Sequence, residues 1–109
     1  MEKIYNKLVR DRIPEIIASE GKTLKTKILS KEEFLIELFN KAGEEAAELI
    51  AARGNRAEVI KEIGDVQEVL DAIIDSLSLD REEIKRLKNE RKEKRGAFKE
   101  RIFLESVKE

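Results

Sequence analysis

The chain of 109 residues contains neither cysteine nor histidine. Without cysteine it has no disulfide framework and no thiolate metal site. Without histidine it lacks the commonest general base, the commonest zinc ligand and every Ser-His or Cys-His nucleophile pair. Any catalysis by this chain must therefore use carboxylates, lysine or a bound metal.

Long apolar runs and signal-peptide patterns are also missing, so we expect a soluble cytoplasmic protein without a membrane partner. The formal net charge of -1 gives no global reason to expect nucleic-acid binding. A nucleic-acid role would rest only on basic residues near the two termini.

Charged residues make up 43% of the chain and hydrophobic residues 40%. The apolar residues recur at helical spacing, which indicates a folded, helix-rich protein with a densely charged surface. The length predicts one domain over residues 1–109. A core built from so short a chain is modest, and we therefore expect a homo-oligomer.

Start and stop signals predict a mainly α-helical chain. Pro14 suits the first turn of a short helix that Gly21 ends. The pair Ser30 and Glu33 is a capping box, and Asp80 with Glu83 resembles one. Gly54 and Asn55 end one helix and cap the next, which predicts an antiparallel hairpin. The three long helices are expected at Lys31 to about Ala52, Arg56 to about Leu77 or Leu79, and Asp80 to near Arg95.

Two short strands are predicted as well. Lys22–Leu29 alternates polar and apolar residues, and Arg101–Val107 is rich in residues that favour strands. We expect the second segment to pair with residues 25–29. The predicted fold class is therefore a mainly all-α antiparallel bundle with short terminal strands.

The acidic residues of the two central helices lie on the wrong face for simple solvation. At about 100° per residue, Phe34, Leu38 and Leu49 all project within about 60° of Glu45. Glu62 lies between Val69 and Ile73 in the same projection. Each of these two central helices thus directs one carboxylate into its apolar stripe. Carboxylates are rare there unless they are paired or bound to metal.

The hairpin brings these acidic residues together. Thirteen residues separate Glu48 from Glu62, which puts the pair Glu45 and Glu48 at a similar height to the pair Glu62 and Asp65. Crowded carboxylates repel one another and raise their pKa values unless a cation intervenes. Hard oxygen ligands select magnesium, manganese or calcium.

The alternative is an ordinary amphipathic helix pair whose acidic residues are neutralised by nearby basic ones. Lys41 is four residues before Glu45, and Lys61 is four residues before Asp65. Arg53 and Arg56 lie in and beside the connection between the helices. The sequence leaves this reading open beside the cation site.

The run Glu44-Glu45-Ala-Ala-Glu48, followed after thirteen residues by Glu62-Ile-Gly-Asp65, resembles the E-E-x-x-E … E-x-x-D signature of the all-α nucleoside triphosphate pyrophosphohydrolases. That superfamily contains MazG, dimeric dUTPases and phosphoribosyl-ATP pyrophosphohydrolase. The terminal segments Tyr5–Ile17 and Lys94–Leu104 look like its phosphoribosyl-ATP-pyrophosphohydrolase-like branch.

The resemblance implies a helical bundle that hydrolyses a nucleoside triphosphate to a monophosphate and pyrophosphate. It implies Mg²⁺ as cofactor, with Mn²⁺ as an alternative, and it makes Glu44 and Lys41 neighbours of the metal ligands. The implied ligands, which are also the catalytic residues, are Glu45, Glu48, Glu62 and Asp65.

Four basic residues are candidates for binding substrate phosphates, because arginine offers bidentate geometry: Arg10, Arg12, Lys94 and Arg95. A solvated charge run is the alternative for each of them. Two other functions stay open, namely the phosphoribosyl-ATP pyrophosphohydrolase of histidine biosynthesis and a non-catalytic helical oligomerisation module.

Overall fold

A computed structural model of the chain describes residues 1–108, and its secondary structure is entirely helical. The described residues form four helices. These are α1 (Ile13–Ser19), α2 (Lys31–Ala51), α3 (Arg56–Ser76) and α4 (Arg81–Arg95). The predicted all-α class is confirmed, while the specific type of bundle stays a prediction.

The helix boundaries follow the predicted capping signals. The Ser30 side chain accepts from the backbone N–H of Glu33, and the Glu33 side chain accepts from the Ser30 N–H, which completes the predicted box. Asn55 caps α3 by accepting from the N–H of Glu58. Asp80 caps α4, although its acceptor bond comes from the N–H of Glu82. Each bond satisfies a helix-end donor that has no partner within its own helix.

The connection between α2 and α3 is short because Gly54 adopts a φ of 93°, a left-handed conformation that other residues rarely adopt. The two helices then pack against each other as the predicted hairpin. Leu38 from α2 and Val69 and Ile73 from α3 form the buried core of this hairpin. Leu8, from the segment before α1, packs against the same cluster.

The two strand predictions were wrong. Residues 1–108 contain no strand, so neither Lys22–Leu29 nor Arg101–Val107 takes that form. Side-chain alternation shows only that a segment is compatible with a half-buried strand. A strand also requires a neighbouring backbone to accept and donate its hydrogen bonds, and a lone extended segment gains no such stabilisation.

The chain divides into two compact units, one spanning Met1–Ser78 and the other running from Leu79 onward. The first unit contains α1, the hairpin and its core. The second contains α4, none of whose residues is buried. The prediction of one domain over residues 1–109 stays a prediction.

Candidate metal centre

The hairpin buries two carboxylates beside its apolar core. Glu45 is 8% exposed and Glu62 is 6% exposed, which makes them as inaccessible as the core residues Val69 and Ile73. Both lie on the apolar stripes of their helices, as the helical projection predicted. Packing of α2 on α3 therefore forces both acids away from bulk water.

Glu48, one turn after Glu45 on α2, completes a group of three carboxylates. One oxygen from each of Glu45, Glu48 and Glu62 lies within 4.8 Å of the other two. Opposite ligands of a magnesium ion are about 4.2 Å apart, and those of calcium reach about 5 Å. The spacing is therefore close to what a divalent cation requires, without selecting one ion.

Two of the oxygens in this group have no hydrogen-bond partner. The Oε2 atoms of Glu45 and Glu62 are buried and accept no hydrogen bond. A buried polar atom without a partner is costly, and a buried carboxylate oxygen more so. The orphaned atoms and the all-oxygen donor set fit a hard divalent cation, which would be held by Glu45, Glu48 and Glu62.

The electrostatics of the group agree with this geometry. Burial raises the pKa of Glu62, and the negative charges of Glu48 and Asp65 raise it further, as does the neighbouring carboxyl group of Glu45. Every one of these influences disfavours the ionised form of Glu62. A cation at the same place would favour that form instead, since opposite charge lowers the pKa of a carboxyl group.

Asp65, the fourth predicted ligand, has a partner of a different kind. Its Oδ1 accepts a hydrogen bond of 2.8 Å from Nη2 of Arg10, 55 residues earlier in the chain. Asp65 is not a member of the three-carboxylate group, yet it is near enough for its charge to raise the pKa of Glu62. Its role as a metal ligand stays a prediction.

Glu44 faces two cations. Its Oε1 accepts from Nζ of Lys7 at 3.2 Å and from Nζ of Lys41 at 3.1 Å. Burial acts to raise the pKa of Glu44, but the hydrogen bonds and charges of Lys41 and Lys7 outweigh it and leave the pKa lowered. Lys41 Nζ also lies 3.6 Å from Oε1 of Glu45, so Lys41 contacts the carboxylate group as predicted.

The alternative of simple neutralisation is met only in part. Lys41 does approach Glu45, but the Oε2 atoms of Glu45 and Glu62 keep no partner. Lys61 lies 3.8 Å from Glu58, on the preceding turn of α3. The basic residues of the hairpin thus leave the buried side of the carboxylate group uncompensated.

The other predicted phosphate-binding residues lie in different surroundings. Arg12 is 88% exposed at the side chain and lies 3.8 Å from Glu15 of α1. Lys94 and Arg95 are in the last turn of α4, where the helix dipole favours positive charge. Their contact with a substrate stays a prediction.

Sequence reasoning missed the pairs formed by Lys7 with Glu44 and by Arg10 with Asp65. The partners are 37 and 55 residues apart, so no local spacing rule could pair them. The available signal was the cluster of basic residues before Pro14, in a chain whose hairpin has an excess of acidic residues.

A groove of about 480 Å³ opens at the turn end of the hairpin. Glu48 and Glu62 line one part of it, and Arg53 and Asn55 line another. The groove is shallow and open to solvent. Because Glu48 and Glu62 are part of its lining, a ligand held there would lie beside the carboxylate group.

The fold and site define a class: an α-helical hairpin protein with a partly buried, all-carboxylate candidate cation site. None of the helices in residues 1–108 has the length and apolar character needed to span a membrane. Comparison of the chain with protein-family models, curated proteins and solved structures found no match. The resemblance to the all-α pyrophosphohydrolases therefore rests on the motif residues themselves.

Proposed function

We propose that the protein is a divalent-metal-dependent nucleoside triphosphate pyrophosphohydrolase, which cleaves between the α and β phosphorus atoms. The observation that carries the proposal is the pair of buried, partnerless Oε2 atoms of Glu45 and Glu62 beside Glu48. A chain without histidine or cysteine has few other means of activating water at neutral pH. Bound Mg²⁺ or Mn²⁺ would polarise a phosphoryl oxygen and lower the pKa of a bound water.

The acidic and basic residues of the hairpin would have different roles in binding the cation. Glu45 and Glu62 would hold the cation, because each has a buried oxygen without a hydrogen-bond partner. Glu48, which is exposed and lines the groove, would be the third ligand. Lys41, which pairs with both Glu44 and Glu45, would reduce the repulsion between these two carboxylates and orient them.

The open groove beside Glu48 and Glu62 leaves room for a nucleotide at the proposed cation site. A nucleotide whose phosphates contact the cation would extend its sugar and base along the hairpin turn, where Arg53 and Asn55 offer polar contacts. Cation sites built from few carboxylates usually leave positions for substrate oxygens and water.

We also propose that the protein works as a homo-oligomer. Only Leu38, Val69 and Ile73 form the buried apolar core among the described residues, which is small for a stable domain. Phe39 on α2 and Ile60 on α3 are both more than half exposed. Light scattering coupled to gel filtration measures the mass directly, and a mass of one chain at micromolar concentration would contradict this part of the proposal.

The decisive experiment is hydrolysis of a panel of canonical and damaged nucleoside triphosphates with Mg²⁺ or Mn²⁺. Pyrophosphate and orthophosphate are measured separately, and a chelated sample serves as the metal control. We expect metal-dependent release of pyrophosphate without release of orthophosphate. The nucleotide that is hydrolysed fastest then identifies the preferred substrate.

A null result across the panel would contradict the proposed activity. Two further measurements then separate the remaining functions. Growth of a histidine auxotroph with this gene would identify a phosphoribosyl-ATP pyrophosphohydrolase. Metal binding or oligomer formation without hydrolysis of either kind would identify a non-catalytic module.

A further inference from the structure

The segment before α1 crosses both helices of the hairpin beside the candidate cation site. Lys7 pairs with Glu44 on α2, and Arg10 pairs with Asp65 on α3. Leu8, between them in sequence, packs against the hairpin core. The apolar contact fixes the segment in place, so that both basic side chains reach the acidic residues of the site.

The local charges are not balanced. Lys7, Arg10 and Lys41 are the three cations paired with this region. They face five carboxylates, so the acidic side chains here outnumber the basic side chains that pair with them. The five carboxylates are Glu44, Glu45, Glu48, Glu62 and Asp65.

Arg10 has capacity beyond its pair with Asp65. Its side chain is 59% exposed, and the bond to Asp65 uses one of the five N–H donors of a guanidinium group. Arginine presents these donors in a planar fork that matches phosphate oxygens. Arg12, the residue before α1, instead lies 3.8 Å from Glu15 of that helix.

We propose that Lys7 and Arg10 form the phosphate-binding side of the site, with Arg10 bridging Asp65 and a phosphoryl oxygen. The inference rests on the proposed function, because it assigns residues to the metal-bound phosphates of that substrate. Arg10 binds the phosphate chain directly, and Lys7 adds a second charge on the α2 side. The ligand class is a pyrophosphate or the phosphate chain of a nucleotide.

The test measures metal and anion binding separately by calorimetry. Mn²⁺ is titrated first, and inorganic pyrophosphate is then titrated into Mn²⁺-saturated protein. In Arg10→Gln we expect pyrophosphate affinity to fall by about tenfold or more, the usual effect of losing a charged hydrogen bond. Mn²⁺ affinity should hold or increase, since a cation that competes for Asp65 has been removed.

Arg86→Gln is the matched control. Arg86 pairs with Glu90 on α4 and is 63% exposed at the side chain, close to the exposure of Arg10. We expect it to leave both affinities unchanged. Lys7→Gln should weaken pyrophosphate binding in the same direction as Arg10→Gln but by less, because lysine makes a single point contact.

The outcomes separate this inference from the proposed function. Failure of the unsubstituted protein to bind Mn²⁺ overturns both. Normal Mn²⁺ binding with pyrophosphate affinity within twofold of the unsubstituted protein in Arg10→Gln overturns the phosphate role alone. If Arg10 only stabilises the fold, Arg10→Gln lowers the melting temperature and weakens the binding of both Mn²⁺ and pyrophosphate. This pattern also overturns the inference.

Discussion

The α2–α3 hairpin and α4 are both rich in acidic residues, but they place them differently. Glu45 and Glu62 are buried in the hairpin with oxygens that have no hydrogen-bond partner. On α4, Glu93 is exposed, and Glu90 accepts from Arg86 one turn away at 3.2 Å. These acids of α4 therefore contact water or a basic neighbour, while Glu45 and Glu62 of the hairpin each keep a buried oxygen without a hydrogen-bond partner.

This difference shows that the number of carboxylates is a poor guide to a cation site. What matters is whether an acid lies in the apolar stripe of a helix that packs against another helix. Burial then removes water as a partner, and only a cation or a proton can compensate. The following predictions test whether the hairpin and α4 differ in this way.

The largest effect is expected for substitutions in the site. Glu48→Gln or Asp65→Asn should lower turnover by at least about 100-fold, because each removes a charged ligand or neighbour of the cation. Glu93→Gln on α4 makes the same chemical change on an exposed surface and should leave turnover unchanged. Helix content by circular dichroism checks that the variants fold. Retained activity in both site variants would contradict the ligand assignment.

The next largest difference is expected when an apolar side chain is shortened in each of the two regions. Leu38→Ala removes a side chain that is almost fully buried, and we expect a loss of about 2–3 kcal/mol in the free energy of unfolding. Leu87→Ala on α4 removes a half-exposed leucine and should cost under about 1 kcal/mol. Urea denaturation of both variants measures the difference. Equal losses of unfolding free energy would contradict the assignment of the core to the hairpin.

Glu62→Gln should stabilise the protein when divalent cations are chelated at neutral pH. It removes a charge that burial and three acidic neighbours disfavour. We expect the melting temperature to rise by on the order of a few degrees. Added Mn²⁺ should stabilise the unsubstituted protein but not this variant. Glu93→Gln is the control and should change neither value; a lower melting temperature for Glu62→Gln would show that its charge is already compensated.

The same group predicts a pH dependence. Because the folded-state pKa of Glu62 is raised above 4.5, the folded protein binds this proton more readily than the unfolded chain does. Chelated protein should therefore gain stability as pH falls from 7 through the raised pKa toward 4.5, relative to Glu62→Gln. Below 4.5 the lowered pKa values of Glu33 and Glu44 act in the opposite direction. Parallel melting curves of the two proteins across pH 4.5 to 7 check the sign.

The smallest effect is expected at the ion pair of α4. A double-mutant cycle on Arg86 and Glu90 should give a coupling of about 0.3–0.5 kcal/mol, as for other exposed pairs one turn apart. The coupling should fall with added salt. A coupling several times larger would mean that α4 is less exposed than its side chains indicate.

Much of the hairpin was predictable, because its signals are local. The capping box at Ser30, the Gly54–Asn55 turn and the helical period of the apolar residues lie within a few residues of the features that they determine. The burial of Glu45 and Glu62 followed from the same period. The strand predictions for residues 22–29 and 101–107 were wrong because a strand needs a second segment to pair with. Side-chain alternation within one segment does not show whether such a partner exists.

By itself, the sequence determined the chemistry available to this protein and the helices that carry it: carboxylates without histidine or cysteine, placed on the apolar stripes of two capped helices. Only the tertiary structure decided that Glu48 joins Glu45 and Glu62 while Asp65 pairs with Arg10. The physical reason is the separation along the chain over which each interaction acts. Helix caps and periodicity act over one or two turns, whereas ion pairs across 37 and 55 residues depend on how Leu8 and the hairpin core pack together.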